Sequence, residues 1–442
     1  MPFDALTTGT FTPSRTPRKT QKIAVIGGGI SGMGAAFMLS KDYRVTLFEA
    51  EPRLGGHART VMAGQKGDQP VDTGFIVFNH ANYPYMSALF RQLDVPITKS
   101  NMSFGASIDG GRLEYALTSL DALFAQRRNA MSPRFLGMVR DIMKFNRRAV
   151  RVAEDRSLSL GDFLKVLGTG DAFRDHYLLP LTGAIWSTPV EKIMEFPAHA
   201  MVQFFKNHAL LGVYGQHQWY TVQGGSTQYV SRLEAALRNQ GTDIRLGAAV
   251  QAVIRGPGKV VLRTWGGEPE VFDHVVFATH SDDSLRLLGD PSPEESRALG
   301  AIGYQPNDIV LHADTRMMPK ARKTWASWVY TEDNNAHSDR IDLTYWMNSL
   351  QPIPMDDPHF VTLNTKRTIR EELIYDQVTL RHPVYDLAAL DAQKDVAALN
   401  GTRNTWYCGA WMKNGFHEDG LSSAVDVVRS LRAVEEDRVA AE

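Results

Sequence analysis

The sequence predicts an α/β chain: a Rossmann-like dinucleotide-binding domain interrupted by a discontinuous α+β substrate domain. Three observations carry that reading. Residues 22–49 run strand, glycine turn, helix, strand and terminal acid; a second glycine pair follows at Gly55-Gly56; and glycine-rich turns beside strand-like runs return at Gly224-Gly225 and from Gly409 to Gly420.

Lys22–Ile26 is apolar, rich in branched residues and too short for a helix, so it reads as a buried parallel strand. Gly27, Gly29 and Gly32 follow in the spacing G-x-G-x-x-G, with Ile30 and Ser31 inside it, and Gly34, Ala35 and Leu39 continue at helical spacing. Gly27 permits the tight turn, Gly29 lets backbone approach a pyrophosphate, and Gly32 lets helix and strand pack closely. The pyrophosphate belongs at the helix N-terminus, where free N–H groups and the dipole favour an anion. Arg44–Phe48 is a second strand, and Glu49 at its end can accept both hydroxyls of an adenosine ribose.

The continuation through Ala50, Arg53, Gly55, Gly56 and His57 separates NAD from FAD. An acid, a short turn, an arginine and a glycine pair resemble the pattern of two-dinucleotide-binding-domain flavoproteins. There the second glycine pair approaches phosphates and ribityl chain, and the basic side chain pairs with phosphate. The expected cofactor is FAD.

The 442 residues suffice for two or three cores, and 43% hydrophobic content is that of a globular chain. A net charge of −1 gives no sign of nucleic-acid binding. The single Cys408 excludes an internal disulfide framework and suits a reducing compartment, and no metal-ligand spacing is present. Residues 1–21 are polar and proline-bearing without a signal-peptide core, and are expected to be a disordered tail. No apolar run reaches spanning length. The expected location is cytoplasmic, with any membrane contact peripheral, at the inner face of the cytoplasmic membrane.

Val71–Asn79 carries Asp72, Gly74 and Phe75, a strand with Asp-x-Gly that would bring backbone to the flavin or its substrate. Beyond Tyr85 the character changes: a helix over 86–93, a hairpin about Asp109-Gly110-Gly111 and a helix over 117–125. Residues 127–156 hold nine Lys or Arg against three acids, with Phe135, Met138, Val139, Ile142, Phe145 and Ala149 at helical spacing. A basic face opposite an apolar one suits a helix lying on an anionic membrane; it equally suits a helix packed inward with solvated arginines. The apolar segments 177–187 and 201–211 read mostly as core, and beside a flavin would suit a long apolar substrate.

Gly224-Gly225 opens a helix over 229–239 and can cover the isoalloxazine with backbone. Residues 244–253 alternate as one strand, a hairpin spans 253–264, and Asp273–His280 is a buried strand ending in small residues at Ala278. Runs near 309–313, 326–330, 341–347 and 359–364 suggest a second sheet. Last, Gly409 precedes a helix opening at Gly420-Leu421-Ser422, a further N-terminus able to face the flavin O2 and ribityl end; simple capping by the serines is compatible. The FAD domain is thus expected from 22–84, 215–285 and 401–442, and the substrate domain from 85–214 and 286–400.

With these three cofactor segments the chain resembles the FAD-dependent amine oxidase, phytoene desaturase and protoporphyrinogen oxidase superfamily. Through Val71–Asn79 with Tyr83-Pro84, Asn101–Phe104, Gly183–Ser187, Asn207-His208 and Gly415–Gly420, it more closely resembles bacterial flavoproteins associated with cyclopropane- and methyl-branched (furan) fatty acid synthesis. The resemblance implies an FAD enzyme desaturating an acyl chain, a methyl-branched one on a membrane phospholipid in furan fatty acid formation, with a lipid methyltransferase as a partner. It also implies that Val250 meets adenine through its backbone. Gly55-Gly56-His57 departs from true amine oxidases, which commonly carry arginine there. The chemistry implied is hydride transfer from a carbon beside a double bond, with loss of a neighbouring proton. Candidate bases are His417, Glu418 and His280, with His57 and His208 behind them; a purely structural role is open for each. Amine oxidation, FAD-dependent double-bond isomerisation and non-catalytic lipid binding are the alternatives.

Overall fold

The structure is a computed structural model that describes residues 20–186, 194–208, 210–212, 217–332 and 341–441. Of the expected tail all but Thr20 and Gln21 lies outside these residues, as do Ser187 and Ala209.

Five parallel strands form the first sheet: β1 (Lys22–Ile26), β2 (Arg44–Phe48), β3 (Asp243–Arg245), β4 (His274–Phe277) and β5 (Thr405–Tyr407), in the order β3-β2-β1-β4-β5. The alternation of β1 is what makes it central. Ile23 and Val25 face a core shared with helix α1 (Ile30–Leu39), helix Thr227–Asn239 and the C-terminal helix His417–Ala441. Ala24 and Ile26 face the opposite core, built with the antiparallel strands Val250–Gly256, Lys259–Thr264 and Glu270–Phe272. The strand order reverses between β1 and β4, and the crevice beyond their carboxyl ends is where such sheets take ligands.

The run 244–253 is not one strand. β3 ends at Arg245, Gly247 turns the chain at φ +64, and a new strand starts at Val250 in a different sheet. The interruption has a purpose in the site: Gly247 N–H donates to the Glu51 carbonyl (3.0 Å) and Ala248 N–H to that of Glu49 (2.8 Å), which sets residues 248–250 beside the end of β2.

The second sheet has seven strands, in the order 374–384, 303–312, 360–363, 342–346, 328–332, 104–108 and 113–116. All neighbours are antiparallel except 328–332 with 104–108, the one pairing that joins the strands of 303–384 to the hairpin of 104–116. The expected hairpin is present, with Asp109, Gly110 and Gly111 all at positive φ, whereas the helix expected over 117–125 shrinks to Leu120–Leu123. Helix α2 (Pro133–Val152) packs Phe135, Met138, Phe145 and Ala149 into the core under this sheet, with Phe163, Phe173 and Phe205 from neighbouring helices. None of the described helices is long and apolar enough to cross a membrane.

A candidate FAD cleft meeting an apolar cavity

The three fingerprint glycines occupy three different environments. Gly27 has φ +107, where an L side chain is strained, and a Cβ there would stand 2.8 Å from the Ala278 carbonyl. A Cβ on Gly32 would lie 1.8 Å from the Gly27 carbonyl, so helix and turn touch only because no side chain intervenes. At Gly29 a Cβ would meet nothing within 4 Å: this side of the turn is open, at the N-cap of α1, where a pyrophosphate belongs.

Gly55-Gly56 braces that turn. Gly55 N–H donates to the Gly28 carbonyl (2.9 Å), and a Cβ on Gly56, itself at φ +55, would come within 3.2 Å of Gly29 Cα. The Glu49 carboxylate sits under the turn and accepts from Gly28 N–H (2.6 Å) and Glu51 N–H (2.8 Å). Arg53 does not line the cleft: its guanidinium donates to the carbonyls of Gly56 (3.0 Å), Ala58 (3.3 Å) and Leu54 (3.4 Å) and pairs with Glu51. The arginine expected on a phosphate holds the second glycine loop in shape.

A cleft of about 770 Å³ runs along these groups. Its walls include Gly27–Ser31, Glu49, Ala50, Gly55–His57, Val250, Ala278, His280, Gly409 and Gly415–His417, drawn from the beginning, middle and end of the chain. Gly32, Gly420, Leu421 and Ser422 are not among them. The C-terminal helix begins at His417, one turn earlier than expected, so Gly420–Ser422 face its neighbours instead. A Cβ on Gly420 would be 2.8 Å from Ser31 Oγ, Leu421 fills the notch left by Gly34, and Ser422 Oγ accepts from Lys413 Nζ (2.6 Å). Gly224 and Gly225 do not line the cleft either: Gly224 lies against Gln228 and Gly225 packs on Thr60.

A second cavity, about 230 Å³, adjoins the cleft. Phe75, Ile76, Met102, Ile185, Ile309, Trp328, Tyr345, Val361 and Leu363 give it an apolar lining, and no Asp, Glu, Lys or Arg among the described residues lines it. The two spaces share His57, His382, Pro383, Gly415, Phe416 and His417. Gly74 and Phe75 belong to this cavity. Asp72 belongs to neither: fully buried, it accepts from Ser226 N–H (2.8 Å), Ser226 Oγ (2.7 Å), Thr60 Oγ1 (2.6 Å) and Gln351 Nε2 (2.9 Å). It ties the Gly225 turn to Gln351, just past the helix Met347–Leu350, and burial raises its pKa to about 6.

Residues 30–353 match the family model of flavin containing amine oxidoreductases. The chain belongs to that family. Its cofactor is FAD, and the open face at Gly29, the braced second glycine loop and the three-segment cleft fit that group. The solved structure of the fatty acid isomerase from P. acnes that produces CLA is similar at a TM-score of 0.66, with 16% identity, covering 93% of this chain and 99% of that one. Cyclohexylamine oxidase from Brevibacterium oxydans is similar at 0.66 and 14%, with the same coverage. In sequence, coproporphyrinogen III oxidase of Staphylococcus aureus is 21% identical over 316 residues, 62% of this chain and 64% of that protein. The chain spans less than two thirds of the length of the curated relatives it matches.

Within this flavoprotein the candidate bases separate. Glu418 lines neither space; its carboxylate caps helix Pro84–Gln92, accepting from Tyr85 N–H and Met86 N–H at 2.8 Å each. Burial raises its pKa to about 8. His280 lines the FAD cleft, stacked on Tyr304 at 4.4 Å. His417 lines both spaces, stacked on Phe75 at 4.1 Å with Nε2 2.7 Å from Tyr229 Oη. His57 stands 5.8 Å from His280 and 5.5 Å from His382, ring to ring. His208 is stacked on Phe204, behind Phe416. Desolvation holds the cluster neutral: His57 is lowered to about 4, and His280, His382 and His417 to about 3.

His382 and Pro383 are the functional positions that sequence reasoning misses. They sit near the end of strand Ile374–Val384, the longest of the second sheet, whose charged residues and proline hide its strand character.

Proposed function

We propose that this chain is an FAD-dependent oxidoreductase that removes a hydride and a proton from a methyl-branched unsaturated acyl chain of a phospholipid, in furan fatty acid formation. The observation that carries it is the uncharged, largely aromatic and aliphatic cavity adjoining the cofactor cleft, with His57, His382 and His417 in the walls of both. An ammonium or a porphyrin carboxylate would enter it without a counter-ion, at a desolvation cost of several kcal/mol by the usual scale of about 20 kcal/mol before relaxation; an acyl chain enters it favourably.

When bound, FAD supplies the two-electron acceptor. The protein holds the acyl chain against the cleft, excludes water, and presents neutral imidazole. A neutral imidazole is too weak to take a proton from an intact allylic carbon, and burial of His417 weakens it further. It suffices for a carbon beside one that has lost hydride, so proton transfer follows hydride loss or accompanies it. His417, facing both spaces, is the best-placed acceptor.

Access from a bilayer has support in α2. Its main apolar face is spent in the core, but Leu136, Met143 and Val150 form a second row, exposed by 43%, 52% and 40%, at a seven-residue spacing. Exposed Arg140, Arg147 and Arg151 flank the row. Apolar side chains among arginines fit an anionic lipid surface, consistent with work at the inner face of the cytoplasmic membrane beside the methyltransferase that would supply a methylated chain.

The test is anaerobic mixing of the FAD-loaded protein with methyl-branched unsaturated phospholipid, with fatty acids and with an amine panel, following flavin absorbance at about 450 nm. Bleaching by the branched lipid alone is expected. Bleaching by amines alone would overturn the reading. Movement of a double bond without bleaching would replace it with isomerisation, the activity named for the similar structure from P. acnes.

A further inference from the structure

Among the imidazoles at the junction, one has its proton placed by the sheet behind it. His382 pairs across the sheet with Gln305, and its Nδ1 lies 3.0 Å from Nδ2 of Asn307. An asparagine amide can be set either way round, so its other partners must decide. Two backbone groups of fixed polarity do so. The N–H of Asp308 donates to Oδ1 of Asn364 (3.0 Å), which leaves Asn364 Nδ2 to donate to Oδ1 of Asn307 (2.8 Å). Asn307 Nδ2 also donates to the Gln305 carbonyl (3.2 Å).

Turning Asn307 over would set oxygen against that carbonyl and nitrogen against the Asn364 nitrogen, two repulsive contacts in place of two hydrogen bonds. Asn307 is fully buried, so water offers no relief. Asn364 holds its place at φ +53, a left-handed conformation that asparagine tolerates better than most residues. Nδ1 of His382 is therefore an acceptor, and the ring proton resides on Nε2. No hydrogen bond to a described residue engages Nε2, while His382 lines both the FAD cleft and the apolar cavity.

We propose that His382 is a fixed, neutral hydrogen-bond donor to the bound flavin where the two cavities meet, with Asn307 and Asn364 as its positioning residues. Burial, which opposes the imidazolium, keeps the Nδ1 lone pair available at neutral pH. Such a donor favours the more electron-rich reduced ring over the oxidised one and needs no reorganisation when electrons arrive. The proposal rests on the FAD cleft and is independent of the acyl-chain substrate.

Two measurements test it without any lipid. In the FAD-free protein, ring-nitrogen chemical shifts at neutral pH should show a neutral Nε2–H imidazole that disappears in His382→Gln. Asn307→Asp, which sets an acceptor-only carboxylate against Nδ1, should move the proton to Nδ1 or charge the ring. A wild-type Nδ1–H tautomer or imidazolium overturns the proposal. In the FAD-loaded protein, His382→Leu should shift the reduced-to-oxidised flavin balance against a redox dye by roughly tenfold toward oxidised, the scale of one hydrogen bond to a charged group. Asn364→Ala should shift it the same way by less. An unchanged balance in His382→Leu with FAD still bound overturns the proposal even if Asn307→Asp does not fold.

Discussion

At position 32 there is no room for a methyl group, and at position 29 there is nothing but room. Gly32→Ala forces a Cβ onto the Gly27 carbonyl and should cost about 1–3 kcal/mol with loss of FAD. Gly29→Ala, at a φ of −75 that alanine accepts, should leave the FAD-free protein within about 0.5 kcal/mol of wild type while weakening FAD binding tenfold or more. Denaturant melts and FAD titrations separate the two; equal effects on stability would contradict the assignment of roles. Glu418→Gln removes one of two backbone acceptors and should cost about 1–2 kcal/mol, yet leave anaerobic flavin reduction within about threefold. His417→Ala should slow the same reduction by about a hundredfold.

The buried imidazoles make a pH prediction at this scale. For His280 the folded pKa of about 3 lies below the ordinary 6.5, so its contribution to stability is complete above 6.5 and is lost as pH falls toward 3. His280→Gln should flatten the acid limb of the FAD-free protein's stability curve between those values, by at most about 1.4 kcal/mol per pH unit. A parallel curve would mean that the imidazole is already charged in the folded state.

Elements show where reading the chain succeeds and where it stops. β1, α1 and β2 are legible because local signals agree: branched apolar strands, glycines at fixed offsets, a terminal acid. The start of the C-terminal helix is not, because Gly420-Leu-Ser-Ser looks like a helix opening, while the actual first turn begins at His417 and carries Glu418 and Asp419, acids that suit a helix N-terminus equally well. Nor is the break between β3 and Val250, since the apolar pattern runs on past Gly247 and the turn there is held by backbone hydrogen bonds to Glu49 and Glu51 that a sequence does not display. In α2 one apolar face packs into the core and the proposed lipid contact falls on a second, exposed row, two faces that periodicity alone could not separate. Replacing Leu136 and Met143 with serine, on a face outside the core, should weaken sedimentation with anionic vesicles severalfold at unchanged stability. Added salt should weaken the wild type as well. Binding indifferent to both would leave α2 a purely internal element.

At the scale of the whole molecule, the site exists because two sheets of separate origin meet. The first supplies the glycine turn and the cleft; the second supplies His382, Pro383 and the apolar walls. Most cleft residues could be named from motifs, since phosphate-binding turns impose short-range rules. The cavity could not, because Ile309, Tyr345 and Val361 come from separate strands of the second sheet, and Phe75 and Met102 from loops distant from them in sequence. Arg53, Asp72 and Glu418 look functional by residue type but are consumed by backbone and side-chain partners that a sequence does not display. The measurement that bears most directly on the central claim is a crystal structure of the FAD-loaded protein. The account predicts flavin contacts from Gly29, Gly55–His57 and Gly409–His417 at once, with the apolar cavity opening onto the ring beside His382 and His417. A flavin held without the C-terminal segment, or a ring walled off from that cavity, would contradict it.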